Sequence, residues 1–345
     1  MEKFIPVINI KADSNYNLGE QIGKKLKNDI HKLIAKNKII YKKEGAKDYS
    51  KLIKTAEQFV PSVKKFYPNL LKEAKGISDA AEVDFKDLMV LLCEEELLDI
   101  RMRVKLSHCT NVAVKTNDNK ILLGHNEDWL PSYRKDGLVV MKGKFKDEKF
   151  ISLNIIGNLP GSLCGLTSKK LAFTSNSIGF KKFRYGLPRS FQLRALLEAG
   201  NLKKIENILY FSNNSIDVNT IMVLRGKKIV DIEDLFRHNE EFFGKNFFIH
   251  TNHPILKKDQ TKENTDLESI KRFERAKEIL LNEKNLSLES IKKVLRDHKA
   301  GICEHKIKKR ENTTVASVVM NVNDMWMEVC KNNPCKNEYK RYYLK

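Results

Sequence analysis

The sequence predicts an α+β chain in which helices cover a sandwich of mainly antiparallel sheets. Three observations carry this. The first hundred residues repeat apolar side chains at helical spacing; the character turns strand-like at residue 107; and the strands that follow come as hairpins with short turns instead of single crossovers. The chain has 345 residues, 41% hydrophobic and 31% charged, with 8 Pro and 16 Gly. That composition excludes a disordered or collagen-like chain and allows two domains or one large one.

The first helix is predicted from Leu18, Ile22, Leu26, Ile30 and Leu33, with Asn17 and Glu20 as a capping box. A second series runs through Leu52, Ile53, Ala56 and Val60 before Pro61. Pro68 opens a helix through Leu71, Ala74 and Ile77; Asp84 with Asp87 introduces another, carrying Leu88 to Leu97 toward Arg103. Strand candidates then follow at 111–116 and 120–124, joined by Asn117-Asp118-Asn119, and at 138–145, 149–156, 170–176, 220–224, 227–233 and 246–251. Helices return at 188–199, 202–211, 266–281 and 288–297, and the end is β again at 313–322 and 325–330.

No run approaches the roughly 18 apolar residues of a membrane span. Met1-Glu2-Lys3-Phe4 has no apolar core of a secretory signal, so a cytoplasmic chain without a membrane partner is expected. The formal charge is +20. Residues 1–108 hold 21 basic and 16 acidic side chains and the remainder 43 and 28, so neither part is a charged tail. The one tight cluster is Lys306, Lys308, Lys309 and Arg310, beside His305, and only Tyr339 to Tyr343 interleaves cations with aromatics. A solvated basic surface is the simpler reading and a phosphate-bearing substrate the second; a basic nucleic-acid-binding protein is the rival class.

Six cysteines show no C-x-x-C and no regular spacing, so neither disulfide nor metal framework is expected. His298, Cys303 and His305, or His250 and His253, could approach a metal, but neither set has a recognisable ligand spacing. Gly19 to Lys24 falls one residue short of a P-loop, Gly161-Ser162-Leu163-Cys164-Gly165 has leucine where a nucleophile elbow needs Ser or Cys, and no G-x-G-x-x-G occurs. No cofactor is expected.

What remains is Cys109, at the switch from helix to strand, with Asn126-Glu127-Asp128 at the far end of the same hairpin. A hairpin returns the chain beside its start, which brings Asp128 toward Cys109. A thiol of ordinary pKa near 8.5 needs a base or a positive field to act as a nucleophile. Taken alone, these residues fit a buried structural cysteine and a turn aspartate better.

Cys109-Thr110-Asn111 followed by Gly124-His125-Asn126-Glu127-Asp128-Trp129 resembles the acyl-coenzyme A:6-aminopenicillanic acid acyltransferase family, a group of N-terminal-nucleophile (Ntn) hydrolases with cysteine nucleophiles. Pro68-Asn69-Leu70-Leu71-Lys72-Glu73 with Gly76-Ile77-Ser78, Thr251-Asn252-His253-Pro254, Thr313 to Val318 and Asn333-Pro334-Cys335 resemble further segments of that family, in the same order. The resemblance implies a four-layer αββα sandwich and a precursor cut at His108–Cys109 into a helical segment, 1–108, and a catalytic segment, 109–345, within one domain. One departure is His108, where members often carry glycine.

The implied activity is that of a self-processing cysteine amidohydrolase or N-acyltransferase. Its substrates would be small N-acyl amides or acyl-CoA, handled through a Cys109 thioester; an inactive relative is the alternative. Asp128 would orient the freed amine or the substrate, and Asn252 would donate to the oxyanion. Asn176 is a second oxyanion candidate or a strand-end turn residue. Arg310 is either the late-chain arginine that supports the nucleophile or a surface arginine. Thr110 would bind near the nucleophile or simply suit a strand.

Overall fold

A computed structural model of the chain describes residues 3–43, 48–102, 109–178, 184–209, 214–233, 246–255, 266–305 and 312–344. The chain opens with a strand, β1 (Val7–Ala12), that the sequence reading passed over because a long helical pattern follows at once. Helix α1 (Asn15–Lys43) starts earlier than expected. Ser14 Oγ accepts the Asn17 N–H at 3.3 Å, and the Ser14 carbonyl accepts from Leu18. The Asn17–Glu20 box therefore does not form: Asn17 lies inside the first turn, and Glu20 pairs with Lys24.

Helices α2 (Tyr49–Glu57), α3 (Val60–Phe66) and α4 (Pro68–Ala81) follow. Pro61 sits in the first turn of α3, so it begins a helix where the sequence reading ended one. The helix expected from Asp84 to Arg103 divides at Cys93 into α5 (Phe85–Leu92), capped by Asp84, and α6 (Glu94–Met102). Gly19 and Gly76 let α1 and α4 cross closely: a Cβ on Gly19 would stand 1.9 Å from the Glu73 carbonyl oxygen.

From residue 109 onward most strands lie where alternation placed them. The hairpin β2 (Thr110–Lys115) and β3 (Ile121–Trp129) is followed by the short helix α7 (Tyr133–Asp136), β4 (Leu138–Phe145), β5 (Glu148–Ile155), an unexpected β6 (Cys164–Thr167) and β7 (Leu171–Ser177). Then come α8 (Arg189–Leu196), α9 (Leu202–Leu209), β8 (Val218–Leu224), β9 (Lys228–Glu233), β10 (Phe247–His250), α10 (Leu267–Leu281), α11 (Leu288–Leu295), β11 (Thr313–Asn321), β12 (Trp326–Lys331) and β13 (Tyr339–Tyr343). The tyrosine-rich end is thus an edge strand on β12, with Tyr342 buried and Tyr339 hydrogen-bonded to Ser317 at 2.7 Å.

The strands form two sheets, ordered β1-β4-β5-β6-β7-β8-β9 and β10-β2-β3-β11-β12-β13. Among the described residues only the β1–β4 ladder is parallel; the other ladders are antiparallel. The sheets meet face to face, as the hydrogen bond from Asn111 on β2 to Asn219 on β8 records. Helices α10 and α11 cover the outer face of the six-stranded sheet, where Val112, Leu122, Ile279, Ile291, Leu295 and Trp326 form one apolar cluster. The larger cluster joins the upstream helices, through Leu18, Ile30 and Leu91, to both sheets, through Val140, Leu153 and Met320. At about 1.5–3 kcal/mol per buried large side chain, this contact makes the upstream segment integral to the core. This is the α+β, four-layer αββα sandwich that the resemblance implies.

Across the upstream interface, Arg194 on α8 forks onto buried Glu73 of α4 at 2.7 and 2.8 Å. Three consecutive acids of α6 enter the interior. Glu94 accepts from Tyr41 and Tyr133, both at 2.6 Å; Glu95 pairs with Arg189; Glu96 accepts the Arg189 N–H at 2.8 Å and the Ser215 hydroxyl at 2.7 Å. Among the described residues no helix is long and apolar enough to cross a membrane.

Candidate active site

Cys109 stands immediately before β2, and the β2–β3 register pairs Thr110 with Asn126. The hairpin therefore sets Cys109 beside Glu127 and Asp128, as its length foretold. Side-chain alternation then divides the neighbours between the two faces of the sheet. Asn111, His125 and Glu127 lie on the face toward the other sheet, and Thr110, Asn126 and Asp128 on the face toward α10 and α11.

On the inner face the Cys109 thiol donates to Glu127 Oε1 at 3.7 Å. Glu127 Oε2 lies 3.0 Å from His125 Nε2, and His125 Nδ1 lies 2.6 Å from Asn111 Oδ1. Asn111 passes the chain to Asn219, which donates to Asp231 on β9. A polar line thus runs from the thiol across both sheets. Cys109 is only 8% exposed, and burial, reinforced by Glu127 and Asp128, pushes its thiol well above the ordinary range. Burial thus favours the uncharged thiol.

On the outer face, Asp128 is buried and makes no hydrogen bond of good geometry; Thr314 and Arg272 are the polar groups that draw its carboxyl down. Burial outweighs them and holds that carboxyl well above the usual carboxylate range. A β-bulge between Thr314 and Ala316 in β11 lies opposite Asp128 and Glu127. Bulges of this kind re-aim side chains next to reactive sites.

The guanidinium beside Cys109 is Arg272 of α10, a residue the sequence reading did not single out. Its Nη1 donates to the Cys109 carbonyl oxygen at 2.6 Å and to Thr110 Oγ1 at 3.2 Å, and its Nη2 to Asn252 Oδ1 at 2.9 Å. Arg272 is 1% exposed, and burial lowers its proton affinity against the pull of Asp128 and Cys109. A signal was present: Ser269, Arg272, Ala276 and Ile279 form the buried stripe of α10, and a charge on such a stripe calls for a buried partner. Arg310 and His108 lie outside the described residues.

Asn252 donates from Nδ2 to the Ser177 carbonyl at 2.7 Å, which leaves one amide hydrogen for another acceptor. Asn176 spends both of its amide hydrogens on the His250 and Thr251 carbonyls, at 3.0 and 3.1 Å. Thr110 is wholly buried and tied to Arg272. His250 and His253 take separate partners, Glu233 and Ser269. The expectation of scattered ligands does not hold for His298, Cys303 and His305, which the fold gathers with Cys335.

A family model described as acyl-coenzyme A:6-aminopenicillanic acid acyl-transferase matches residues 114–336, beginning just after Cys109 and spanning Asp128, Asn176 and Asn252. The beta-alanyl-dopamine/carcinine hydrolase of Drosophila melanogaster is 32% identical over 164 residues, 43% of this chain and 42% of that protein. The chain therefore spans less than half the length of that relative. Among solved structures, the Caenorhabditis elegans ortholog of N-acylethanolamine-hydrolyzing acid amidase is similar, with a TM-score of 0.49 and 17% identity over 62% of this chain and 93% of that one. A mutant of conjugated bile acid hydrolase from Clostridium perfringens gives a TM-score of 0.46 and 14% identity over 69% and 97%. Penicillin V acylase from Agrobacterium tumefaciens gives 0.47 and 10% over 68% and 86%. With the family model matching well over half of its length, the chain belongs to the acyl-coenzyme A:6-aminopenicillanic acid acyl-transferase family.

Proposed function

We propose that this protein is a self-processing cysteine amidohydrolase of the Ntn type, cutting small N-acyl amides through an acyl-thioester on Cys109. The observation that carries the reading is the thiol of Cys109 facing the Glu127 carboxylate at 3.7 Å, with buried Asp128 next in the chain. The family's acyl-transfer chemistry and the small amides in the relative's name support it. Transfer to an amine, with acyl-CoA as donor, uses the same thioester and is the second outcome to assay.

In the precursor the Cys109 nitrogen is an amide and cannot act as a base. Glu127 takes the thiol proton, sulfur attacks the His108 carbonyl carbon, and the C–N bond breaks as nitrogen takes up a proton. Water then hydrolyses the thioester, releasing a carboxyl on His108, the free thiol and a new α-amino group. That amine has a reference pKa of about 7.7–8.0, suited to proton transfer near neutrality. Asp128, on the outer face of the same corner, orients that amine or the substrate. In turnover, sulfur attacks the substrate carbonyl, the leaving amine is protonated, and water resolves the acyl-enzyme. Arg272 fixes the backbone of the nucleophile, and the spare amide hydrogen of Asn252 stabilises the oxyanion.

Intact-mass spectrometry tests this together with assays on N-acyl amines, N-acyl amino acids and acyl-CoA. Fragments 1–108 and 109–345, absent in Cys109→Ala, with amide hydrolysis appearing as the cut proceeds, are the expected result. Full turnover by an uncut chain overturns the mechanism, and an uncut, inactive chain returns Cys109 to a structural role.

A further inference from the structure

Away from the nucleophile, four side chains from two distant segments converge at one end of the six-stranded sheet. His298 and Cys303 lie on the loop after α11, His305 follows two residues later, and Cys335 lies in the turn after β12. Cys303 Sγ is 3.6 Å from Cys335 Sγ and 3.6 Å from His305 Nε2. His305 Nε2 is 3.2 Å from Cys335 Sγ and 3.1 Å from His298 Nε2. All four ligand atoms lie within 4.8 Å of one another. We propose that His298, Cys303, His305 and Cys335 form a tetrahedral Cys2His2 zinc site that ties the loop after α11 to the turn after β12.

The geometry fits a metal. Zinc bonds of about 2.3 Å to sulfur and about 2.0–2.1 Å to nitrogen, set tetrahedrally, separate the ligand atoms by roughly 3.3–3.8 Å. The four separations given above fall at or just below that range, and the two from His298 to the sulfurs lie within 4.8 Å. A thiol pair alone would suit a disulfide, but two imidazole nitrogens facing the same point have no part in one. The chemistry of the set also selects: two thiolates and two neutral imidazoles neutralise a divalent ion and suit zinc over a hard cation.

The surroundings are built to hold such a set. Asn333 Nδ2 lies 3.5 Å from Cys303 Sγ and donates to the Glu304 carbonyl at 2.7 Å, an outer contact of the kind that orients metal-bound thiolates. Cys303 N–H donates to the Asp297 carbonyl at 2.8 Å, and Gly301 turns the loop at φ +75°, folding His298 back over Cys303. Cys303 is buried while His298 is exposed, so the site has an entry path.

The same loop braces the reaction centre. Asn126 Nδ2 donates to the Leu295 and Ile302 carbonyls, both at 2.8 Å. The Glu304 carbonyl accepts from Thr314 N–H at 3.0 Å and from Thr313 Oγ1 at 3.0 Å. Zinc would therefore fix the wall behind Asp128 without touching substrate.

The test is metal content of the purified full chain after incubation with zinc alone and desalting, read by elemental mass spectrometry. About one zinc per chain is expected in the wild type and in Cys109→Ala, with a loss of about tenfold or more in Cys335→Ser and in His298→Ala. His298 is exposed, so its variant tests the ligand set with the packing intact, and circular dichroism checks that both variants remain folded. Cobalt in place of zinc should give the intense visible bands of a tetrahedral thiolate site, lost in the same two variants. No zinc in the folded wild type overturns the proposal, as does zinc retained in both variants. An intact mass two hydrogens low that maps to a Cys303–Cys335 disulfide overturns it as well.

Discussion

Arg272 donates a hydrogen bond of 2.6 Å to the carbonyl oxygen of Cys109, the residue whose sulfur the proposed chemistry uses. The same guanidinium holds Asn252 Oδ1, so one side chain from α10 ties the backbone of Cys109 to the Asn252 amide. The donor fork matters as much as the charge.

Arg272→Lys is therefore expected to keep the fold and lose function. One ammonium cannot reproduce a planar fork to two acceptors, and the slight misplacement that follows should slow turnover about 10- to 100-fold. Arg272→Ala leaves the Cys109 carbonyl and Asn252 Oδ1 short of their donor and should cost about 2–5 kcal/mol in denaturant unfolding. Unchanged kcat in the lysine variant would remove Arg272 from the reaction.

Glu127→Gln should separate maturation from folding. A carboxylate positioned as general base contributes about 10²- to 10⁴-fold, so cleavage at His108–Cys109 should slow by that order in a mass-spectrometric time course. The amide retains an oxygen for His125, which keeps the interior line in place. Cleavage at the wild-type rate would mean that another group takes the thiol proton.

Asn252→Ala and Asn176→Ala should differ in kind. Loss of the Asn252 donor is expected to cost about 3–4 kcal/mol of barrier, which slows turnover about 10²- to 10³-fold. Asn176 has both amide hydrogens bound to backbone, so its removal strands two buried carbonyls and costs about 1–3 kcal/mol of stability each. Turnover should fall less in Asn176→Ala than in Asn252→Ala; steady-state kinetics on the cut enzyme compares them.

Burial pushes the Glu94 and Glu96 carboxyls up to about 7 from 4.5. A raised acid means that the folded chain binds more protons than the unfolded one between those values, so its contribution to stability declines as pH rises through that window. His253 works oppositely: burial lowers it to about 4 from 6.5, so stability is lost as pH falls between those values. Glu94→Gln and Glu96→Gln should flatten the decline toward pH 7 and leave the acid side unchanged, as unfolding curves across pH would show.

Gly19→Ala tests the helix crossing. Its methyl would collide with backbone of α4 at 1.9 Å, so α1 and α4 must part, at a cost of about 1–3 kcal/mol despite the better helix propensity of alanine. A gain in stability would show that the contact yields.

Where a signal was periodic, the sequence was a sufficient guide. Strand β4 lies at 138–145 as alternation placed it, and α10 spans its expected stretch, because a two-residue or 3.6-residue repeat reports one buried face without reference to its partner. The approach of Asp128 to Cys109 was legible for a related reason: a hairpin's register follows from its turn. β1 escaped notice because a long helical pattern follows it at once and its ladder partner β4 lies far along the chain, and the Asn17 cap failed because the helix begins two residues earlier, with Ser14 accepting the Asn17 N–H. Only the tertiary structure decided that Glu127, rather than Asp128, shares the face of the thiol, that Arg272 reaches the Cys109 carbonyl, and that His298, Cys303, His305 and Cys335 meet. Such contacts depend on how sheets and helices stack, and local spacing holds no information about which distant residue a buried charge or thiol will find.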